Sequence, residues 1–241
     1  MTSSAVLFAV ALAAVDPSSR VEAGAPAVKP SADEAPTVTR GRVRDAWLLS
    51  VEAVTRVPID AGAQIGVETP FGLRVFGGYG WVPYVDLLTG IIASASDRNL
   101  VTELMRRGRT SGDSARFVLG WRPFRRLGVT LDGTYARLRL DGDLTVPAMT
   151  LQGLEFSGGA YHARTRVDLW GVELGYQGQL QRFVFGAAAG VTGAMGSRTS
   201  IAPSGAAPND PALPVAADRV DHAFRTHVIP TVTLRLGFDA L

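Results

Sequence analysis

Between Thr226 and Phe238 the chain repeats every two residues. Val228, Pro230, Val232, Leu234, Leu236 and Phe238 fall on one parity, and His227, Ile229, Thr231, Thr233, Arg235 and Gly237 on the other. A strand turns successive side chains to opposite faces, so this segment predicts a strand with one bulky apolar face and one small or polar face. The same alternation recurs upstream. It predicts strands over Trp47–Val57, Gln64–Thr69, Gly72–Trp81, Arg116–Arg122, Val129–Ala136 (extendable to Leu140), Leu169–Tyr176 and Phe183–Thr192.

The connections between these eight strands sort by length. Thr69-Pro70-Phe71-Gly72, Pro123–Arg126 and Gln177–Gln181 carry tight-turn chemistry, whereas Pro83–Asp113, Asp141–Arg164 and Gly196–His222 are long; Pro58–Gly62 is the one short connection out of pattern. Short turns at one end, long loops at the other and an even strand number describe an eight-stranded antiparallel up-and-down transmembrane β-barrel with long extracellular loops.

Alternation by itself does not say whether the apolar face meets lipid or a protein core. Aromatic placement does. Trp47, Phe71, Trp121, Tyr176, Phe183 and Phe238 fall at the short-turn ends of their strands, and Tyr79, Trp81, Phe117, Tyr135, Trp170 and Phe224 at the long-loop ends, all on the apolar parity. Two such girdles are expected at the two membrane interfaces, where an aromatic ring can bury its body and keep its polar edge wet. The opposite parity mixes glycine, alanine and threonine with Glu52, Arg56, Glu68, Arg74, Arg116, Arg122, Asp132, Glu173 and Arg235. Eight strands enclose a lumen just wide enough to be filled by side chains, so this set predicts an ion-paired plug and not a pore.

Composition adds exclusions. The net charge is +2, Lys29 is the sole lysine, and no basic stripe suggests a nucleic-acid partner. Cysteine is absent, which excludes disulfides and thiolate metal sites. Ala5–Val15 is apolar but far short of the roughly 20 residues of a membrane helix, and reads as the core of a signal peptide spanning residues 1–23, although no Lys or Arg precedes it. Residues 24–44, rich in Ala, Pro and Ser, read as a periplasmic linker, and residues 45–241 as the barrel.

With these features in place, the segment from Asp45 to Leu241 resembles the small outer-membrane barrels of the OmpA and OmpX kind in architecture. Val232-Thr233-Leu234-Arg235-Leu236-Gly237-Phe238 looks like the terminal assembly signal of such proteins, followed here by Asp239-Ala240-Leu241. The resemblance implies a monomer in the bacterial outer membrane, with its lipids, the barrel assembly machinery and an unidentified extracellular ligand as partners. Pro230 has no N–H for a ladder and predicts a bulge or a position outside the membrane band.

Specific chemistry is expected in the long loops. In the first, Ser96 would cap a helix over Asp97–Arg107, and the apolar Val85–Ala95 before it suggests a lid over the barrel mouth. An enzyme of the outer rim would draw on His162, His227, Ser157 and Asp168, with His222 and Asp221 nearby in sequence; no spacing among them is a nucleophile motif. Three scattered histidines give no metal pair, and no glycine-rich stretch precedes a helix, so neither metal nor cofactor is expected. The sequence therefore favours a non-catalytic envelope barrel, with a lipid-modifying enzyme bearing a His-based site as the alternative.

Overall fold

The computed structural model describes residues 47–85, 87–88, 90, 108–124, 127–151, 154–204 and 210–240. The expected signal peptide, linker and Asp97–Arg107 helix lie outside the described residues.

The chain forms β1 (Leu48–Val57), β2 (Asp60–Glu68), β3 (Leu73–Trp81), β4 (Gly108–Trp121), β5 (Val129–Val146), a small hairpin of β6 (Met149–Leu151) and β7 (Leu154–Phe156), then β8 (Gly159–Leu180), β9 (Phe183–Pro203), helix α1 (Ala212–Thr226) and β10 (Val228–Asp239). Eight strands close into one antiparallel ring in the order β1-β10-β9-β8-β5-β4-β3-β2. This is the up-and-down barrel that the alternation predicts. Closure pairs Val51 with Phe238 and Val57 with Val232, so the first and last strands cover each other's edges over that length. At the β2–β3 turn Gly72 donates its N–H to the Thr69 carbonyl at 3.0 Å, and its φ of +81° is a conformation that glycine adopts without strain.

The long connections hold more structure than the sequence suggests. Strand β4 begins at Gly108, taking in part of the expected first loop. Residues 141–164 are largely the continuation of β5 and β8 joined through the β6–β7 hairpin, and residues 196–222 hold the end of β9 and most of α1. Strands β5, β8 and β9, at 18, 22 and 21 residues, therefore stand as a wall beyond β1, β2, β3 and β10, with β4 paired along it as far as Leu144. Pro230 makes no bulge: it pairs with Val191 in unbroken register, while the β1 ladder stops at Val232, so Pro230 occupies an edge position on that side. The irregularity in the ladder lies instead at Asp168/Leu169, where β8 shifts against β9.

Helix α1 lies against the inner side of the wall. Pro211, just before the helix, already has helical dihedrals (φ −63°, ψ −16°) and lacks an N–H that would need a partner there, and the Asp210 carboxylate ahead of it accepts the Ala212 N–H at 2.9 Å and so caps the helix. The first half of the helix buries Leu213 and Ala216 against Leu144, Val146, Phe156 and Tyr161. Its second half buries Val220, Ala223 and Phe224 against Ile59, Leu138, Leu140, Val167, Leu169 and Ile229.

Candidate functional site

The chain's most organised polar chemistry is the interior of the ring. Glu52 accepts from Gln64 Nε2 at 2.7 Å and Ser50 Oγ at 3.2 Å. Asp60 takes Ser114 Oγ at 2.6 Å, Arg116 at 3.0 Å and Arg56 at 3.3 Å. Glu68 is held by two nitrogens of Arg122, at 2.5 and 3.1 Å. Across the lumen Arg235 donates to Asp132 at 2.6 Å and stands 3.5 Å from Glu173, which also accepts from Thr233 at 2.9 Å. Arg74, fully buried, lies 4.0 Å from Asp132 with its guanidinium over the Phe76 ring, 4.9 Å from the centroid. All nine residues expected in the lumen are thus buried inside the ring.

Sequence reasoning missed the acid that joins Arg56 to Arg116. The turn chemistry at Pro58 draws Asp60 into the connection, yet Asp60 shares parity with Gln64 and Glu68 on β2, and that phase is the available signal. With it, five carboxylates (Glu52, Asp60, Glu68, Asp132, Glu173) face five arginines (Arg56, Arg74, Arg116, Arg122, Arg235), so this set is formally neutral. Glycine makes the room: a Cβ on Gly120 would collide with the Asp132 carboxylate, and one on Gly78 would stand 2.8 Å from Arg116 Nε. Above this ionic layer the interior turns apolar, with Val82, Val85 and Leu88 from the start of the first long connection joining the core that α1 closes.

The outer face reverses that order. Below Tyr135 and Trp170, which are register partners, β5 and β8 expose Val129, Leu131, Val172, Leu174 and Tyr176. Beyond them the outward residues become Arg137, Arg139, Asp141 and Asp143 on β5 and Asp168, Arg166, Arg164 and His162 on β8. The inward residues switch at the same height, from Thr130, Asp132 and Thr134 to Ala136, Leu138, Leu140 and Leu144. On β5 and β8 both faces exchange polarity at the Tyr135–Trp170 line, while β9 keeps Ser197 and Thr199 inward, where they meet Asp221 of α1.

Eleven of the twelve aromatics expected in girdles are exposed on the outside of the ring or its turns: Trp47, Phe71, Trp121, Tyr176, Phe183 and Phe238 toward the short-turn end, Tyr79, Trp81, Phe117, Tyr135 and Trp170 toward the other. Phe183 and Phe238 meet edge to face, centroids 5.9 Å apart. Phe224 is the correction. It sits on α1, only 3% exposed, because the segment before β10 is helical and turns this ring inward to close the core.

The four candidate catalytic residues are not brought together. His162, on the outer face of β8, bonds Asp143 at 2.9 Å, with Asp141 3.6 Å away. His227 follows α1 and its Nδ1 lies 2.6 Å from the Ala223 carbonyl. Ser157 engages Asp210, donating its N–H at 2.7 Å, and its side chain bonds the same carboxylate. Asp168 bonds Arg137 at 2.8 Å and accepts the Tyr135 hydroxyl at 2.8 Å. The Arg137 hydrogen bond, with a further one from Tyr135, holds the Asp168 carboxyl below the usual carboxylate range in spite of partial desolvation. Asp221 and His222 both lie on α1; Asp221 accepts from Ser197 and Thr199 at 2.7 and 2.8 Å, fastening the helix to β9. Among the described residues no group of three or more His, Asp or Glu side chains is arranged to hold a metal.

Among solved structures the chain is similar to CarO of Acinetobacter baumannii, at 10% identity over 80% of this chain and 97% of that one, with a TM-score of 0.42. It is also similar to a major outer membrane protein of Thermus thermophilus, at 16% identity over 80% of this chain and 97% of that one, with a TM-score of 0.43. No protein-family model matches the sequence, and no curated protein matches it.

Proposed function

We propose that this chain is a non-catalytic bacterial outer-membrane barrel that crosses the bilayer as a closed, ion-paired cylinder and meets the exterior through its β5-β8-β9 wall and α1. The observation that carries this reading is the exchange of polarity at the Tyr135–Trp170 line. A barrel immersed in water along its whole length has no reason to put leucine and valine outside and arginine and aspartate inside over one half, then reverse both over the other. A bilayer supplies that reason, because the outer face then passes from hydrocarbon to water at a fixed height while the inner face must fill the space it encloses.

Dimensions agree with this placement. From Phe71 to Tyr79, at about 3.3 Å per residue and a strand tilt near 40°, the apolar band is roughly 20 Å tall, close to that of outer-membrane barrels. The contents of the lumen argue for a sealed barrel, since a neutral set of paired side chains fills one half and α1 closes the other. The remaining contribution is to the envelope itself, as a stabilising element or as a surface that binds a partner, with the membrane lipids and the barrel assembly machinery as its associates.

Two readouts on the folded protein test this. In a gel run without boiling it is expected to migrate differently from the heated chain, as membrane barrels do, and in planar bilayers to give no stable, large conductance. Identical migration would remove the membrane barrel, and a steady open current would remove the closed lumen.

A further inference from the structure

Four successive outward rows of the wall are set by the β5–β8 register. Arg137 faces Asp168, Asp141 faces Arg164 and Asp143 faces His162. Each of these rows is a complementary pair with a contact of 2.7–2.9 Å. The remaining row breaks the pattern. Arg139 faces Arg166, and Arg166 faces Arg198 on β9, so three exposed arginines stand side by side across adjacent strands. Among the described residues none of the three has an ion-pair partner within 4.0 Å. The neighbouring acids are engaged elsewhere: Asp168 by Arg137, Asp141 by Arg164, Asp143 by His162. Among the described residues Asp113, opposite Arg139 on β4, is the one acid at the same level.

Like charges directly opposite each other on a sheet are destabilising, so this row costs the fold something unless an anion bridges it. Its height identifies the anion. Arg139 lies four residues beyond Tyr135, and Arg166 four beyond Trp170, which at about 3.3 Å per residue and a tilt near 40° is roughly 10 Å above the aromatic line. The headgroup layer extends about 5–8 Å beyond each face of the hydrocarbon, so the row stands at its outer margin, where long arginine side chains reach back into it. Strands about 4.8 Å apart spread the three guanidiniums over roughly 10 Å, a span suited to more than one phosphate, and the planar fork of arginine suits phosphate oxygens.

We propose that Arg139, Arg166 and Arg198 form a site on the outside of the wall for the phosphate groups of an anionic lipid of the outer leaflet. The site rests on the membrane reading above for its choice of ligand. The test is native mass spectrometry of the full chain released from uncharged detergent and titrated with diphosphoryl lipid A, with phosphatidylcholine as the zwitterionic arm and inorganic phosphate as a competitor. The wild-type chain is expected to retain lipid A and to release it as salt is raised. Each of Arg139→Gln, Arg166→Gln and Arg198→Gln is expected to weaken binding roughly fivefold, and the triple variant about a hundredfold. Arg137→Gln with Asp168→Asn, which removes a paired row, should leave it unchanged. Equal retention of phosphatidylcholine, a triple variant within twofold of wild type, or binding indifferent to salt would overturn the site. Displacement by equimolar inorganic phosphate would overturn the lipid as its occupant. The salt series uses only the wild-type chain, so the proposal stays exposed even if the triple variant does not fold. Heat-modifiable migration of the same samples keeps the outcomes apart: its loss strikes the membrane reading, while its retention with lost lipid selectivity strikes this site alone.

Discussion

Arg235 of β10 reaches across the lumen and donates from Nη2 to Asp132 of β5 at 2.6 Å, joining strands that are three apart around the ring. Both side chains are almost wholly removed from solvent, and Glu173 completes the group at 3.5 Å. The pair therefore braces the cylinder from within.

Removing one partner of a buried pair leaves the other charge uncompensated, at about 3–5 kcal/mol, whereas replacing both with apolar side chains of similar size is often close to neutral. Arg235→Leu is expected to lower the stability of the detergent-folded barrel by that amount. Adding Asp132→Leu to it should recover part of the loss, although Glu173 then lacks its arginine and Arg74 its carboxylate. A double-mutant cycle read from unfolding curves checks the coupling. Additive losses would mean that the bond does not couple these strands.

The apolar outer band offers a depth-dependent test of the proposed placement. Val172 is exposed between Trp170 and Tyr176, whereas Ser200 faces outward on the charged part of β9. Val172→Arg is expected to cost about 2–4 kcal/mol in a bilayer and Ser200→Arg under about 1. Folding titrations in liposomes measure both, and equal costs would deny the boundary between them.

Phe224 closes the apolar half of the interior. Truncation to alanine is expected to cost about 3–5 kcal/mol through lost burial and the cavity left behind. Because Phe224 packs in the apolar half of the interior and makes none of the ionic contacts, Phe224→Ala should loosen the helix before the ring. Hydrogen exchange is the suitable readout, with faster exchange over residues 212–226 and little change in β1–β3.

Asp210 links α1 to the outside pH. Burial alone would raise its carboxyl, but hydrogen bonds from the Ser157 and Ala212 N–H groups outweigh this and hold it below the ordinary range. A carboxyl depressed in the folded state stabilises at pH values above its unfolded pKa, about 3.9, and that contribution is lost as pH falls through the lower folded value. Protease accessibility of α1 is expected to stay flat from pH 7 to about 5 and to rise below about 4. Asp210→Asn, which keeps an acceptor but no charge, should lose most of the rise attributable to this carboxyl.

How far the sequence could be read depended on how cleanly each segment kept its period. The eight strands were legible because a two-residue repeat survives in every one of them, and the aromatic positions then marked the limits of the apolar outer band. The upper wall was hidden in plain alternation: Leu138, Leu140 and Leu144 keep the inward parity of Thr134, but the outward residues change from Tyr135 to Arg137 and Arg139, so an apolar strand seemed to dissolve into a polar loop. The strand itself continues without a break. Helix α1 was concealed by Pro211 and Pro214, although prolines belong in a first turn and Asp210 before them is a capping residue. Missing the helix misplaced Phe224. Asp60 was lost because the turn at Pro58 is tighter than expected and β2 begins two residues after it.

Site-by-site labelling of β10 tests the central claim most directly. The chain has no native cysteine, so single cysteines at Val232, Thr233, Leu234, Arg235 and Leu236 can each carry an environment-sensitive fluorophore in liposomes containing nitroxide-labelled lipid. In a membrane-crossing barrel, the labels at 232, 234 and 236 are quenched by the lipid nitroxide and those at 233 and 235 are not. Quenching that fails to alternate, or that is absent at 232, 234 and 236 in the folded protein, would contradict it.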